Sequence, residues 1–293
     1  MKQLVSGIYA PVFWTGFIGW ALAQPDWLVL VFATAVVVSF AVEQWLPYEP
    51  QWNRSLGDRW RDSVHACVNE GLNVLGLLVL PGLTALLAFD GIWPRGWPLW
   101  EQLLLAIVLA DAGITLMHYA SHRIAPLWRL HAVHHSVQRL YGFNGLMKHP
   151  LHQMLEATAG LLPLILLGIP LEVAQLLALA IGIQLLLQHS NVDMRLGALR
   201  WVFAWAPVHR FHHMKYGRAG DVNFGLFFNL WDWLLGTAFY REGYRMGPGD
   251  LGIGSGRIFP WRMERNCVIH LCRYAWSRNR RCPAIYASSC TCN

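Results

Sequence analysis

Apolar residues in this chain gather into long runs rather than alternating stripes: residues 7–23, 27–45, 67–89, 100–117, 154–168 and 171–188. Crossing a hydrocarbon core of about 30 Å takes about 20 helical residues. The first four runs approach or exceed that length, which predicts four membrane-spanning helices. The last two runs are separated only by Ile169 and Pro170 and predict a tight helical hairpin. Glu156, Glu172, Gln175 and Gln184 make this hairpin the least lipid-like pair, so at least one of its faces is expected to lie against protein. The predicted fold class is all-α: a polytopic membrane protein with four transmembrane helices plus a short helical hairpin, capped by a cytosolic, helical, histidine-rich metal domain. The expected organisation is residues 1–117 for the four spans, 118–153 for a first histidine cluster, 154–188 for the hairpin, 189–256 for a second cluster and 257–293 for an atypical tail.

Composition excludes an ordinary soluble domain. Of 293 residues, 55% are hydrophobic and only 14% charged, with a mean hydropathy of +0.33. The second apolar run follows the first almost at once, so a removable signal peptide is not expected. A net charge of +6 invites a nucleic-acid reading, but the sequence holds no polar domain or motif for one, and no nucleic-acid partner is expected. The charge reads better as topology. With the spans above, Arg95 is the only Lys or Arg on one side, and every other one falls on the predicted cytosolic side. Trp20, Trp27, Trp93, Trp97 and Trp100 are expected to belt the outer interface, and Trp45, Trp128, Trp201 and Trp205 the inner one.

The candidate chemistry sits in the histidines, of which only His65 and His270 lie outside two regions. The first region holds His118, His122, His131, His134, His135, His149 and His152; the second holds His189, His209, His212 and His213. Both follow an apolar run on the predicted cytosolic side. On a helix, positions i, i+3 and i+4 share a face, so HxxxH and HxxHH each aim their rings at one spot. HxxHH occurs twice, and the hairpin between the copies returns the chain to the same side. Imidazole suits zinc, iron, copper and nickel, but a single structural zinc saturates at four ligands, so nine or ten imidazoles imply two metals. No Asp or Glu occurs between His118 and His149, and HExxH is absent. An all-histidine binuclear centre at a membrane surface points to non-haem iron and dioxygen.

These motifs together resemble those of the fatty acid hydroxylase and sterol desaturase superfamily. The similarity runs from about Asp111 to Gly254, through Arg129-Leu-His-Ala-Val-His-His-Ser136, His149-Pro-Leu, Gln188-His-Ser-Asn-Val192, Val208-His-Arg-Phe-His-His213, Asn223-Phe-Gly225 and Leu230-Trp-Asp-Trp-Leu-Leu-Gly-Thr237. The resemblance implies an oxidoreductase with two iron ions that uses O2 and two external electrons to hydroxylate or desaturate a lipid C–H bond. It implies His118, His122, His131, His134, His135, His189, His209, His212 and His213 as metal ligands, with His149 as a tenth. The chain departs from the family pattern at His152-Gln153, after His149-Pro-Leu, and at Thr115, one turn before the first histidine. The expected location is a bacterial inner membrane rather than the endoplasmic reticulum.

Further polar residues carry two readings each. Asp111 lies within about 20° of the face of His118 and His122, as a carboxylate orienting their rings or as a structural hydrogen-bonding group. Asn191 is read as another orienting residue or as part of a turn, and Asp232 likewise. Tyr141, Phe143 and Asn144 line the substrate entrance or pack at the interface. The tail carries Cys267, Cys272, Cys282, Cys290 and Cys292 among arginines, without a paired CxxC. It reads as a frameshifted or non-homologous extension, with a thiol-rich metal tail as the alternative. No nicotinamide, flavin or haem-attachment motif appears, so electrons must come from an external carrier of ferredoxin, rubredoxin or cytochrome type, docking on the basic face. The rival classes are a haem-binding electron-transfer protein and a metal transporter.

Overall fold

The computed structural model describes residues 1–89 and 92–254, and the tail from residue 257 lies outside the described residues. Among the described residues there are nine α-helices and isolated β-bridges but no extended strand. They are α1 Lys2–Ala23, α2 Leu28–Trp45, α3 Arg59–Leu87, α4 Leu99–Arg123, α5 Ala125–His135, α6 Pro150–Leu166, α7 Leu171–Gln188, α8 Ala206–His209 and α9 Leu230–Leu235. Five helices, α1 to α4 and α7, are long and apolar enough to cross a membrane. The hairpin expected from the sequence is therefore asymmetric: α7 reaches spanning length, whereas α6 has 17 residues and begins at Pro150.

The helix α7 forms the centre of the bundle, packing against α1, α2, α3 and α4. Its apolar residues surround it on every side, as suits a helix enclosed by others, and most of them are buried. By contrast α1, α2 and α3 leave Val12, Val29, Val37, Leu78 and Leu86 exposed, an apolar surface of the kind a bilayer covers. The crossing of α4 and α6 is tight because it is built on glycines. A Cβ on Gly113 would overlap the carbonyl of Ala159, and one on Gly160 would press on the Ile114 side chain. Small residues let two backbones meet in this way.

Hydrogen bonds gather six helix ends at one end of the bundle. Glu43, near the C-terminus of α2, accepts from the backbone N–H groups of Gly142 and Asn191. Asp62, in the first turn of α3, accepts from the Tyr141 hydroxyl and the Asn144 amide. Ser6 of α1 accepts from the Arg195 backbone. The C-termini of α4 and α7 and the N-terminus of α6 lead into the histidine segments at the same end. The tryptophans divide differently from the two-belt expectation. Trp27, Trp45, Trp97, Trp100 and Trp201 are exposed, but Trp93, Trp128 and Trp205 are buried. Burial requires a partner for the indole N–H, which Gln102 supplies to Trp93 and Gln184 to Trp205.

Candidate metal centre

Nine buried imidazoles from four segments converge into two adjoining groups. His118, His122, His131, His135 and His212 form the first, and His134, His189, His209 and His213 the second. Within each group the candidate ligand atoms all lie within 4.8 Å of one another. His118 and His122 occupy the last two turns of α4, which runs unbroken out of its apolar stretch. His131, His134 and His135 lie on α5, one residue beyond the end of α4. His189 caps the C-terminus of α7. The neighbours His134 and His135 face different groups, and so do His212 and His213, so each HxxHH motif serves both.

The proton inventory of these rings suits them to hold a cation. A neutral imidazole carries one N–H. His118 Nδ1 donates to the Phe224 carbonyl at 2.8 Å and His212 Nδ1 to that of Val222 at 2.9 Å. Their Nε2 atoms are then both lone pairs, yet they face each other at 2.9 Å. In the second group His134 Nδ1 donates to Met147 O and His189 Nδ1 to Leu185 O, and their Nε2 lone pairs meet at 3.2 Å. Protonation does not resolve the opposition. Burial first, and then mutual repulsion, push His131, His134, His135, His209, His212 and His213 well below 6.5, and burial holds His189 at about 3. Neutral rings with converging lone pairs are the donor set of a transition metal, and each group fits one ion.

One loop supplies much of the outer support. Asn223 sits at φ 56°, a left-handed conformation that asparagine tolerates. Its amide donates to Val208 O and Phe239 O and accepts from Phe239 N. Asp232 takes the N–H groups of Phe224 and Gly225. The carbonyls of Val222 and Phe224 are thereby aimed at His212 and His118. Arg210 ties the two histidine segments of the second region together, donating to Ser190 O and Val192 O while stacking on Tyr48.

Three residues singled out from the sequence take other places. His149 lies in none of the groups; it is the N-cap of α6, where its Nδ1 accepts from Leu151 N at 3.2 Å. Proline at the first helical position and a side-chain acceptor before it make a helix start, which turns the ring toward its own backbone. Asp111 touches no histidine in its hydrogen bonds. It accepts from the backbone of Leu226, Phe227 and Phe228 and from the Trp231 indole, holding the loop that in turn holds His118. Asn191 staples the segment after His189 to Glu49 and Asn53.

The carboxylate that does meet one of the nine converging rings is Asp221, 3.0 Å from His122 Nδ1. It lies 99 positions along the chain from its partner, and no helical spacing reveals it. His152 and Glu156 were also missed as a pair, although their i, i+4 spacing on α6 was a usable signal. They flank His131 in a third group of candidate ligand atoms. Lys148 ion-pairs with Glu156 at 2.5 Å. A cavity of about 10 Å³ lies between the two metal groups, bordered by His118, His134, His189, His209, Lys148 and Glu156. That is room for about one water-sized molecule.

Comparison with known proteins agrees with this architecture. The fatty acid hydroxylase family matches residues 103–237. An ornithine lipid hydroxylase, OlsE, of Rhizobium tropici is 33% identical over 241 residues, 79% of this chain and 72% of the relative. An alkylglycerol monooxygenase of Danio rerio is 30% identical over 50% of this chain and 31% of its own length. A delta(7)-sterol-C5(6)-desaturase of Nicotiana tabacum is 33% identical over 45% of this chain and 47% of its own length. No solved structure matches. The chain belongs to the fatty acid hydroxylase and sterol desaturase superfamily, a class of membrane oxidoreductases.

Proposed function

We propose that this protein is a membrane-bound di-iron oxygenase that hydroxylates a lipid, with R–H, O2, two electrons and two protons giving R–OH and water. The observation that carries the reading is the pair of adjoining all-imidazole groups, each with opposed lone pairs, in a chain of this family. His118, His122, His131, His135 and His212 would hold one iron, and His134, His189, His209 and His213 the other. When bound, the irons supply the redox chemistry that activates dioxygen, which no side chain can perform. The protein's own part is to fix the rings through their Nδ1 bonds and to close the space between the groups against water. Lys148 and Glu156 border that space, and the Lys148 ammonium, paired with the Glu156 carboxylate, is a proton-bearing group beside it. Hydroxylation is favoured over desaturation because the relative spanning most of this chain is a lipid hydroxylase.

The substrate reaches the site laterally from the bilayer, which the exposed apolar surfaces of α1 to α3 adjoin. The histidine end faces the cytosol, as the placement of Lys and Arg argues. Electrons arrive from a ferredoxin, rubredoxin or cytochrome on the basic face, and reduction should slow as salt rises. The decisive experiment measures metal per chain in purified protein together with oxygen-dependent lipid products by mass spectrometry. Two irons and a product heavier by one oxygen, absent without O2, support the proposal. A Soret band, or metal flux without oxygen consumption, would overturn it.

A further inference from the structure

His131, His209 and His213 each keep a buried Nδ1 without a partner, and of the three His131 is the one grouped with residues outside the two histidine sets. Its Nε2 points into the first group, 3.1 Å from His135 Nε2. A ring that ligates through Nε2 keeps its proton on Nδ1, and His118, His122, His134, His189 and His212 all bond that atom to an oxygen. His131 Nδ1 is buried without a protein partner. Orphaned buried donors of this kind are rare.

His131 also forms a group with His152 and Glu156, one candidate ligand atom of each lying within 4.8 Å of the others. Ser121 donates its one hydroxyl proton to Met117 O, so the 2.9 Å contact between Ser121 Oγ and His152 Nε2 makes Nε2 of His152 the donor. His152 Nδ1 is then a lone pair, and it too is buried without a partner. Glu156 Oε1 lies 3.8 Å from it, beyond hydrogen-bonding range. The other carboxylate oxygen is engaged by Lys148. The three residues thus bring an unpartnered donor nitrogen, an unpartnered acceptor nitrogen and a carboxylate oxygen into one buried cluster.

We infer that a single structural water sits in this cluster, accepting from His131 Nδ1 and donating to His152 Nδ1 and Glu156, and that it couples the Glu156 carboxylate to the metal ligand His131. Three polar partners are typical of a buried water. A third metal ion is the competing occupant for the same atoms. It is disfavoured because the Lys148 ammonium already occupies Glu156, because a cation there would sit against that positive charge, and because His131 would have to give up its Nδ1 proton. Glu156 and His152 are thus positioning residues. They fix the His131 tautomer and raise its basicity as a ligand, the part the sequence had suggested for Asp111. Lys148 balances the charge of the carboxylate so that it can stay ionised in a buried place.

The inference rests on the proposal that the first histidine group binds metal, and its test separates the two. Glu156→Gln alone would leave Lys148 unpaired and risks misfolding, so the main variant is Lys148→Met with Glu156→Gln, which removes both charges together. The full-length metal-free chain in detergent is titrated with Co²⁺, whose ligand-field absorption reports each site. Native protein should bind two ions. The double variant, folded as judged by its melting curve, should bind one ion as the native does and the other about 10–100-fold more weakly, the usual cost of losing an outer partner of a ligating histidine. Glu156→Asp, which keeps a carboxylate within reach of water, should recover most of that affinity. Two ions bound with native affinity by the double variant would overturn the inference and leave the proposed function standing. Three ions per native chain would also overturn it, by placing a metal where the water is assigned. No ion bound by the native chain would defeat the proposed function and this inference with it.

Discussion

The backbone N–H of Phe227 donates to Asp111 Oδ1 at 2.9 Å, joining the apolar part of α4 to a loop 116 positions further along the chain. Leu226 shares the same oxygen, while Phe228 and the Trp231 indole share the other. Asp111→Asn keeps one acceptor oxygen but turns an amide NH2 toward two donors. Unsatisfied buried donors cost about 1–3 kcal/mol each, so with two of them the variant should lose about 2–6 kcal/mol of stability. Its melting temperature should fall clearly, while metal content at low temperature stays near native. His118→Ala should lose metal at every temperature. An Asp111→Asn protein that melts with the native one would contradict the role assigned to the carboxylate.

His135 and His213 test the division into two groups. His135 Nε2 has three imidazole nitrogens of the first group within 3.1 Å, and His213 Nε2 has two of the second within 3.3 Å. Alanine at either position should lower bound metal from two ions toward one and reduce turnover by more than about 100-fold, because removing a ligand exceeds the about 10–100-fold cost of an outer partner. Metal analysis of the two variants, with their residual ion compared by spectroscopy, should show different survivors. Identical spectra would mean that the groups are not separate sites.

Acid should destabilise the metal-free protein in a definite direction. His131, His134, His135, His209, His212 and His213 are held well below 6.5 in the folded state, chiefly by burial, and His189 at about 3. Unfolded, they take up protons once the pH falls below about 6.5. The unfolded chain then binds more protons than the folded one, so stability falls with falling pH from 6.5 toward the folded values. Melting curves of chelator-treated protein between pH 8 and pH 5 should be flat at the upper end and drop steeply below 6.5. Bound metal, by excluding the unfolded form, should shift the whole set upward. A metal-free protein equally stable at pH 5 and pH 8 would be incompatible with buried neutral rings.

Packing at the crossing of α4 and α6 offers a test remote from the histidines. Gly113→Ala adds one methyl group where the Ala159 carbonyl already sits. Overpacking of this kind costs about 1–3 kcal/mol, and here the obstacle is backbone rather than a flexible side chain. The helices should separate slightly, tilting the end of α4 that carries His118 and His122. The expected result is a lower melting temperature with weakened metal binding in the first group and native binding in the second. Gly16→Ala, where nothing lies within 4 Å, serves as the neutral comparison.

The legible part of this protein was what depends on spacing along one element. HxxxH at the end of α4 and HxxHH on α5 are helical repeats; the first aims both rings at one group as expected, but the second divides, His131 and His135 toward one group and His134 toward the other. The second HxxHH reaches the same result by another route. Its helix, α8, ends at His209, and His212 and His213 lie in the turns that follow, with His212 N bonded to His209 O. Helical spacing is therefore not what places those rings, and they do not converge on one spot: His209 and His213 lie in one group and His212 in the other. Asp111, Asp221 and Asn191 were beyond reach for a different reason. Each acts through a partner roughly a hundred or more positions away, often a backbone group, which has no residue-type signature. His149 misled because a histidine next to a proline can cap a helix as well as bind a metal.

Glu43 carries a consequence for where this enzyme's working unit begins and ends. The family match covers residues 103–237 and contains all nine converging histidines. Glu43 lies outside it, on α2, yet one of its oxygens takes the backbone N–H of Gly142 after the first histidine region and that of Asn191 beside His189. A fragment trimmed to the matched window would keep every ligand and lose the clasp that sets the two regions in register. The chemistry of this chain is thus not a portable module seated on a passive anchor. Its first three helices act as a jig, and variation in them can alter the geometry of ligands they never touch.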